Sequence, residues 1–142
     1  MINFHNKTPK ILVIGDLMID HYLWGSSERI SPEAPVQVID IKSESAVLGG
    51  AGNVINNLYT LGTKVDVISV IGDCDASKEL KELLLAIKVD TQNLITQKDR
   101  VMSKKSRIIS GHQQVVRFDI ESTSEISHKS QIALLDLSLI HI

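Results

Sequence analysis

Short apolar runs that end in Gly-Asp alternate with segments whose apolar residues recur every three or four positions, giving a strand–helix rhythm. Lys10-Ile11-Leu12-Val13-Ile14 leads into Gly15-Asp16, and its length and branched content predict a buried parallel strand. Leu17–Trp24 alternates less cleanly, because Asp20, His21 and Tyr22 interrupt it. Ser26–Pro35 holds two prolines, a serine cluster and no periodicity, which predicts a partly extended loop. Val36–Ile41 reads as a second strand with one polar face. Gly49-Gly50-Ala51-Gly52-Asn53 then opens a segment with Ala51, Val54, Ile55, Leu58 and Leu61 at helical spacing, and Gly62 stands where its C-terminal cap is expected. Val65–Ile71 is another β-branched run, ending in Gly72-Asp73. Asp75 is placed to cap a helix with Leu80, Leu83, Leu84 and Ile87 on one stripe. That order predicts βαβ units and a parallel sheet with right-handed crossovers.

Lys105–Ser110 and Gln113–Asp119 flank Gly111-His112, and glycine at the first of two loop positions predicts a type II′ hairpin. With Ser110 opposite Gln113, strict alternation puts Lys105, Arg107 and Ile109 on one face beside Gln114, Val116 and Phe118. Ser106, Ile108, Val115 and Arg117 then take the other. Ser127–Leu139 is predicted as a further helix, and the βαβ architecture is expected to be cut off soon after it.

Composition narrows the classes. The 142 residues suffice for one domain, and 43 % apolar with 23 % charged residues is an ordinary globular balance. A formal net charge of −2 and 4 % aromatic residues argue against nucleic acid and against an anionic membrane as partners. The longest apolar runs, Ile11–Ile14 and Leu83–Ile87, are too short to span a bilayer, and the polar Met1–Lys10 lacks the core of a secretory signal. The single cysteine, Cys74, fits a reducing compartment, so a cytoplasmic location is expected. His5, His21, His112, His128 and His141 are scattered without ligand spacing, so no metal site is predicted.

Three groups can carry chemistry. Glycines just before a helix allow close backbone approach and leave free amides for an anion or hydroxyl, though a tight turn would use them equally well. The cluster is neither a phosphate-binding loop with Gly-Lys-Ser/Thr nor a complete dinucleotide fingerprint. Asp16 lies at the carboxyl end of the first strand, the ligand edge of an open α/β sheet, and together with Asp20 can accept bonds from sugar hydroxyls. The plainer alternative makes Asp16 a turn residue and Asp20 a solvated one. Lys105 and Arg107, two apart on a strand, share a face that can bind a phosphate, or they simply solvate an edge.

Longer strings tip these choices. Gly15-Asp16-Leu17-Met18-Ile19-Asp20-His21-Tyr22, followed by Arg29-Ile30-Ser31-Pro32-Glu33-Ala34-Pro35-Val36, resembles the opening of the heptose-7-phosphate kinase domain found in bifunctional heptose kinase/adenylyltransferases. Leu48-Gly49-Gly50-Ala51-Gly52-Asn53-Val54 resembles the N-terminal glycine signature of the wider ribokinase-like carbohydrate kinases. Lys105-Ser106-Arg107-Ile108-Ile109-Ser110 and Gln113-Gln114-Val115-Val116-Arg117-Phe118-Asp119 are again similar to the heptose branch. The resemblance implies a ribokinase-like, doubly wound and mainly parallel α/β fold with a small β-sheet lid, of which residues 1–142 are the N-terminal part. Lid strands would fall near 17–24, 36–41 and 105–119, and such lids often pair across a homodimer. It further implies an ATP- and Mg²⁺-dependent kinase that phosphorylates D-glycero-D-manno-heptose 7-phosphate at its anomeric hydroxyl, for ADP-heptose and lipopolysaccharide core synthesis. Asp16, Gly49, Gly50 and Asn53 would hold sugar hydroxyls. Asp20, Lys105 and Arg107 match lid or pocket positions, with the two cations toward the 7-phosphate. The second signature of the family, a Gly-Ala-Gly-Asp anion hole with the catalytic aspartate, has no match in this sequence, so the catalytic residues are expected downstream and the chain alone is expected to be inactive. A ribokinase-like kinase of another sugar, and a non-catalytic binding module, are the alternatives.

Overall fold

The computed structural model describes residues 8–140. The polar stretch before Thr8, together with His5 and His141, lies outside the described residues. In chain order the elements are β1 (Lys10–Ile14), β2 (Leu17–Ile30), β3 (Gln37–Gly50), α1 (Ala51–Thr60), β4 (Lys64–Gly72), α2 (Asp75–Ala86), β5 (Leu94–Gln97), β6 (Ser103–Ser110), β7 (Gln113–Ile120) and α3 (His128–Ile140).

Two sheets share the chain. The first is parallel in the order β1-β4-β5, with Lys10 opposite Lys64 and Ile14 opposite Ile68. Its central strand, β4, buries Val65, Val67, Ile68, Ser69, Val70 and Ile71, as a strand covered on both faces must. Ile55 of α1 and Leu80 and Leu84 of α2 are fully buried in the same core. The four-residue spacing of Leu80 and Leu84 stacks them on one helical stripe, each worth about 2 kcal/mol of burial. The buried Ser69 hydroxyl donates to the Gly15 carbonyl at 2.7 Å, tying the exit of β1 to β4.

The second sheet has the order β3-β2-β6-β7: β2 and β3 are antiparallel, β2 and β6 parallel, β6 and β7 antiparallel. Leu17, Ile19 and Leu48 anchor its root in the common core. Further out, Lys104 on β6 pairs with Glu79 of α2 at 2.8 Å, so one face of this sheet looks toward α2.

Several expectations are corrected here. Leu17–Trp24 is only the first part of β2, which continues to Ile30 through residues expected to form a loop. Val36–Ile41 likewise overlaps only the start of β3, which begins at Gln37 and runs on to Gly50. Register shifts between Trp24 and Gly25 and between Ser27 and Arg29 break the alternation that would have exposed these strands. β5 is four residues long and was not expected. Asp75 does not cap α2: Cys74 holds that position, and Asp75 is the first helical residue, paired with Lys78 at 2.7 Å. The end of α1 follows expectation, with Gly62 at φ 82° just past the Leu61 cap. Ser110 does oppose Gln113, and Gly111 has φ 60° as a type II′ turn requires. Beyond that pair, however, Ile109 opposes Gln114 while Ile108 opposes Val116. The bulge at Val115 therefore turns β7 over: Arg117 and Asp119, not Val116 and Phe118, share a face with Arg107 and Lys105.

Candidate functional site

The site begins at the junction of the two sheets. Asp16 follows β1 with its side chain exposed, and its carbonyl accepts the Ala51 N–H at 2.9 Å. Gly50 turns the chain from β3 into α1 with φ 55° and ψ −130°, the mirror of an ordinary extended conformation, which glycine alone adopts freely. It provides no side chain to cap α1, and no acidic residue lies in the first turn, where Asn53 is exposed. The start of the helix thus offers amides and the Asn53 side chain to a hydroxyl-bearing ligand, beside the Asp16 carboxylate.

Gly49 joins this corner to the second sheet. A β-carbon there would lie 2.6 Å from Asp20 Oδ2 and 2.9 Å from Met18 Cγ, so the absence of a side chain is what lets the Asp20 carboxylate lie over β3. Asp20 accepts a hydrogen bond from Arg107 Nη1 at 2.6 Å, with both side chains about one-fifth exposed. The parallel β2–β6 register sets this up: Asp20 stands beside Lys105, and Tyr22 beside Arg107. The Arg107 guanidinium lies over the Tyr22 ring at 5.3 Å, and Tyr22 stacks on Trp24. Cation and ring attract through the ring quadrupole, which steadies the guanidinium over Tyr22.

Lys105 lies 3.4 Å from Asp119 Oδ2 and 3.6 Å from Glu121 Oε2. Asp119 also accepts a fork from Arg117, Nε at 2.9 Å and Nη2 at 2.6 Å. These hydrogen bonds from Arg117, reinforced by Lys105, hold the Asp119 carboxyl down at about 2. The converse pull raises Arg117, through Asp119 first and then through Asp20 and Glu121. Because the folded value of Asp119 is depressed, its ion pairs are fully formed above the ordinary value near 4 and are lost as pH falls toward 2. An NMR titration of the Asp119 carboxyl carbon is expected to show its midpoint near 2, returning toward 3.8 in Arg117→Ala.

The predicted residues fall into two adjoining sets. Asp16, Gly49, Gly50 and Asn53 form the corner; Asp20, Lys105 and Arg107 form the open face of the second sheet, away from α2. Neither cation stands free, since each is paired with a carboxylate. Arg117, Asp119 and Tyr22 share this face and were not among the candidate residues read from the sequence. Their signal was the Arg-x-Asp spacing, hidden by the bulge at Val115. On the opposite face His21 bonds Ser106 at 3.2 Å and Glu44 at 3.0 Å. Among the described residues no group of three or more His, Cys, Asp or Glu side chains is arranged to hold a metal ion, and no helix is long and apolar enough to cross a membrane.

A parallel α/β layer joined through a glycine corner to a four-stranded sheet with a polar open face is the N-terminal part of a ribokinase-like fold, and the chain belongs to the pfkB family of carbohydrate kinases, which it matches over residues 8–140. Among its relatives, the bifunctional protein HldE of Aliarcobacter butzleri is 64 % identical over 137 residues, an alignment covering 94 % of this chain and 29 % of that protein. A carbohydrate kinase from Agrobacterium tumefaciens superimposes with a TM-score of 0.63 at 26 % identity, over 80 % of this chain and 36 % of the other. Arabidopsis thaliana ribokinase, complexed with ribose and ATP, shares the fold with a TM-score of 0.60 at 15 % identity, over the same shares of the two chains. The chain thus spans less than a third of the length of its curated relative.

Proposed function

We propose that the whole protein transfers the γ-phosphoryl group of ATP, with Mg²⁺, to the anomeric hydroxyl of D-glycero-D-manno-heptose 7-phosphate. In this reading residues 1–142 are the N-terminal part of the kinase domain, supplying the sugar pocket and the lid. The observation that carries it is the continuity of a hydroxyl-binding corner, Asp16 with Gly49, Gly50 and Asn53, with a face bearing Lys105 and Arg107. A phosphorylated sugar presents the matching chemistry: hydroxyls at one end and a dianion at the other. The likeness to the bifunctional protein HldE supports the heptose branch within the family.

Within that reading, the Asp16 carboxylate accepts hydroxyl protons and fixes which oxygen faces the transferred group. Asp20 takes a further hydroxyl while Arg107, steadied on Tyr22, receives the phosphate. Phosphoryl transfer also needs a base beside the acceptor and amides for the developing charge. The described residues do not assemble a divalent-cation site, and those parts are assigned to the remainder of the protein. A cytoplasmic location follows from the ATP requirement and suits the single Cys74.

The test is a coupled ADP-release assay. The full-length protein is expected to turn over heptose 7-phosphate and to leave ribose and fructose largely unused. Equal rates on an unphosphorylated sugar would point instead to a kinase of another sugar. Robust turnover by residues 1–142 alone would overturn the assignment of the phosphoryl-transfer machinery to the rest of the protein.

The same reading pairs two lids. Val116, Phe118 and Ile120 are exposed on the face of β7 opposite the charged one, in line with Ile108, an apolar strip suited to a second copy. Phe118→Lys is expected to weaken dimerisation at least about ten-fold, which sedimentation velocity of the full-length protein would measure.

A further inference from the structure

β6 and β7 carry Arg107 and Arg117 directly opposite one another on the open face. Like charges in that relation destabilise a sheet, so a pair of cations here calls for anions to hold it. Each arginine has its own: Arg107 is held by Asp20 from β2, and Arg117 by Asp119 two residues along the same strand. The two arrangements differ in accessibility. Arg107 is one-fifth exposed and backed by the Tyr22 ring, whereas the Arg117 side chain is 45 % exposed on the outer strand of the sheet. Its fork to Asp119 faces solvent, where water and salt screen the pair. Asp119 has a second cation in Lys105, so it keeps a partner when Arg117 leaves.

We infer that Arg117 is a specificity-determining residue that turns from Asp119 to the phosphate of the substrate, closing the lid face around the phosphorylated end of the sugar. The inference rests on the sugar-phosphate reading above and adds to it a residue that simple alternation would place on the wrong side of the sheet. A phosphate has enough acceptor oxygens to take the Arg117 fork and the remaining donors of Arg107 together, which removes the like-charge cost. Asp119 then acts as the keeper of Arg117 in the free protein.

Steady-state kinetics of the full-length protein test this. Arg117→Ala is expected to raise KM for heptose 7-phosphate about ten-fold with kcat within about two-fold, the loss of one charged hydrogen-bonding group. KM for ATP is expected to stay the same, and Arg117→Lys to recover part of the loss. Asp119→Asn, which frees Arg117, is expected to lower KM for the phosphorylated sugar. An unchanged KM in Arg117→Ala, a loss confined to kcat, or an Asp119→Asn variant as weak as Arg117→Ala would each overturn the inference. Should Arg117→Ala fail to fold, Arg117→Gln carries the same test. If the wild-type protein shows no preference for the phosphorylated sugar, the underlying reading has failed. If it does and Arg117→Ala preserves that preference, only the role of Arg117 has.

Discussion

Gly50→Ala is expected to destabilise the protein by about 2–4 kcal/mol and to abolish detectable sugar phosphorylation by the full-length enzyme. Two costs coincide. The backbone at φ 55° and ψ −130° strains any residue with a β-carbon. That carbon would also lie 2.7 Å from the Asp16 carbonyl oxygen and 2.9 Å from Met18 Cε. Met18 can swing aside, but the Asp16 carbonyl cannot, because it is the acceptor for the Ala51 N–H at 2.9 Å. Relief therefore moves the Asp16 backbone, and with it the carboxylate assigned to the sugar. The denaturation midpoint reads the first effect, and hydrogen exchange at the Ala51 amide reads the second. An Ala51 amide as protected as in the wild type would show that the corner absorbs the β-carbon, against this prediction.

Arg107→Ala is expected to raise KM for heptose 7-phosphate between about ten- and a hundred-fold in the full-length protein, with a much smaller change in kcat. Two losses add in one direction. The phosphate loses its best-positioned cation, and Asp20 loses the partner that holds its carboxylate at 2.6 Å. An unpaired Asp20 then repels the incoming dianion. Arg107→Lys should restore only part of the affinity, because an ammonium cannot reproduce a planar fork over the Tyr22 ring. Asp20→Asn on the Arg107→Ala background should recover some affinity by removing the stranded charge. A KM unmoved by Arg107→Ala would take the phosphate away from this face altogether.

What could be read from the sequence follows the strength of each local signal. β1 is a continuous apolar run and β4 a β-branched run broken only by Asp66 and Ser69, so neither needs strict alternation to be read as a strand. β4 is buried as expected, whereas β1, at the edge of its sheet, is only partly buried. α1 and α2 announced themselves by periodicity, and the hairpin by Gly111. The outer halves of β2 and β3 were hidden, since Ser26 and Ser27 join the ladder through their backbones alone, Glu28 is skipped in the pairing, and such bulges scramble the faces. The same effect decided the site. Asp16, Gly49, Gly50 and Asn53 sit at an element junction, where sequence order nearly dictates proximity. Arg117 and Asp119 depend on one extra residue at Val115, and a single-residue shift inverts every side chain beyond it. Alternation alone could not register that inversion. The pairing of Asp20 with Arg107 was equally out of reach, because it depends on a parallel β2–β6 contact between segments 87 residues apart.

The antiparallel ribbon of β2 and β3 has mechanical meaning. Fourteen residues of strand extend roughly 45 Å, from a root clamped by Leu17, Ile19 and Leu48 to a tip at Ile30 and Gln37. Such a ribbon is a lever with its fulcrum at Gly50. A tilt of about five degrees at the root sweeps the tip through roughly 4 Å, so a small rotation at the corner where the Asp16 carbonyl holds the Ala51 amide is magnified at the far end.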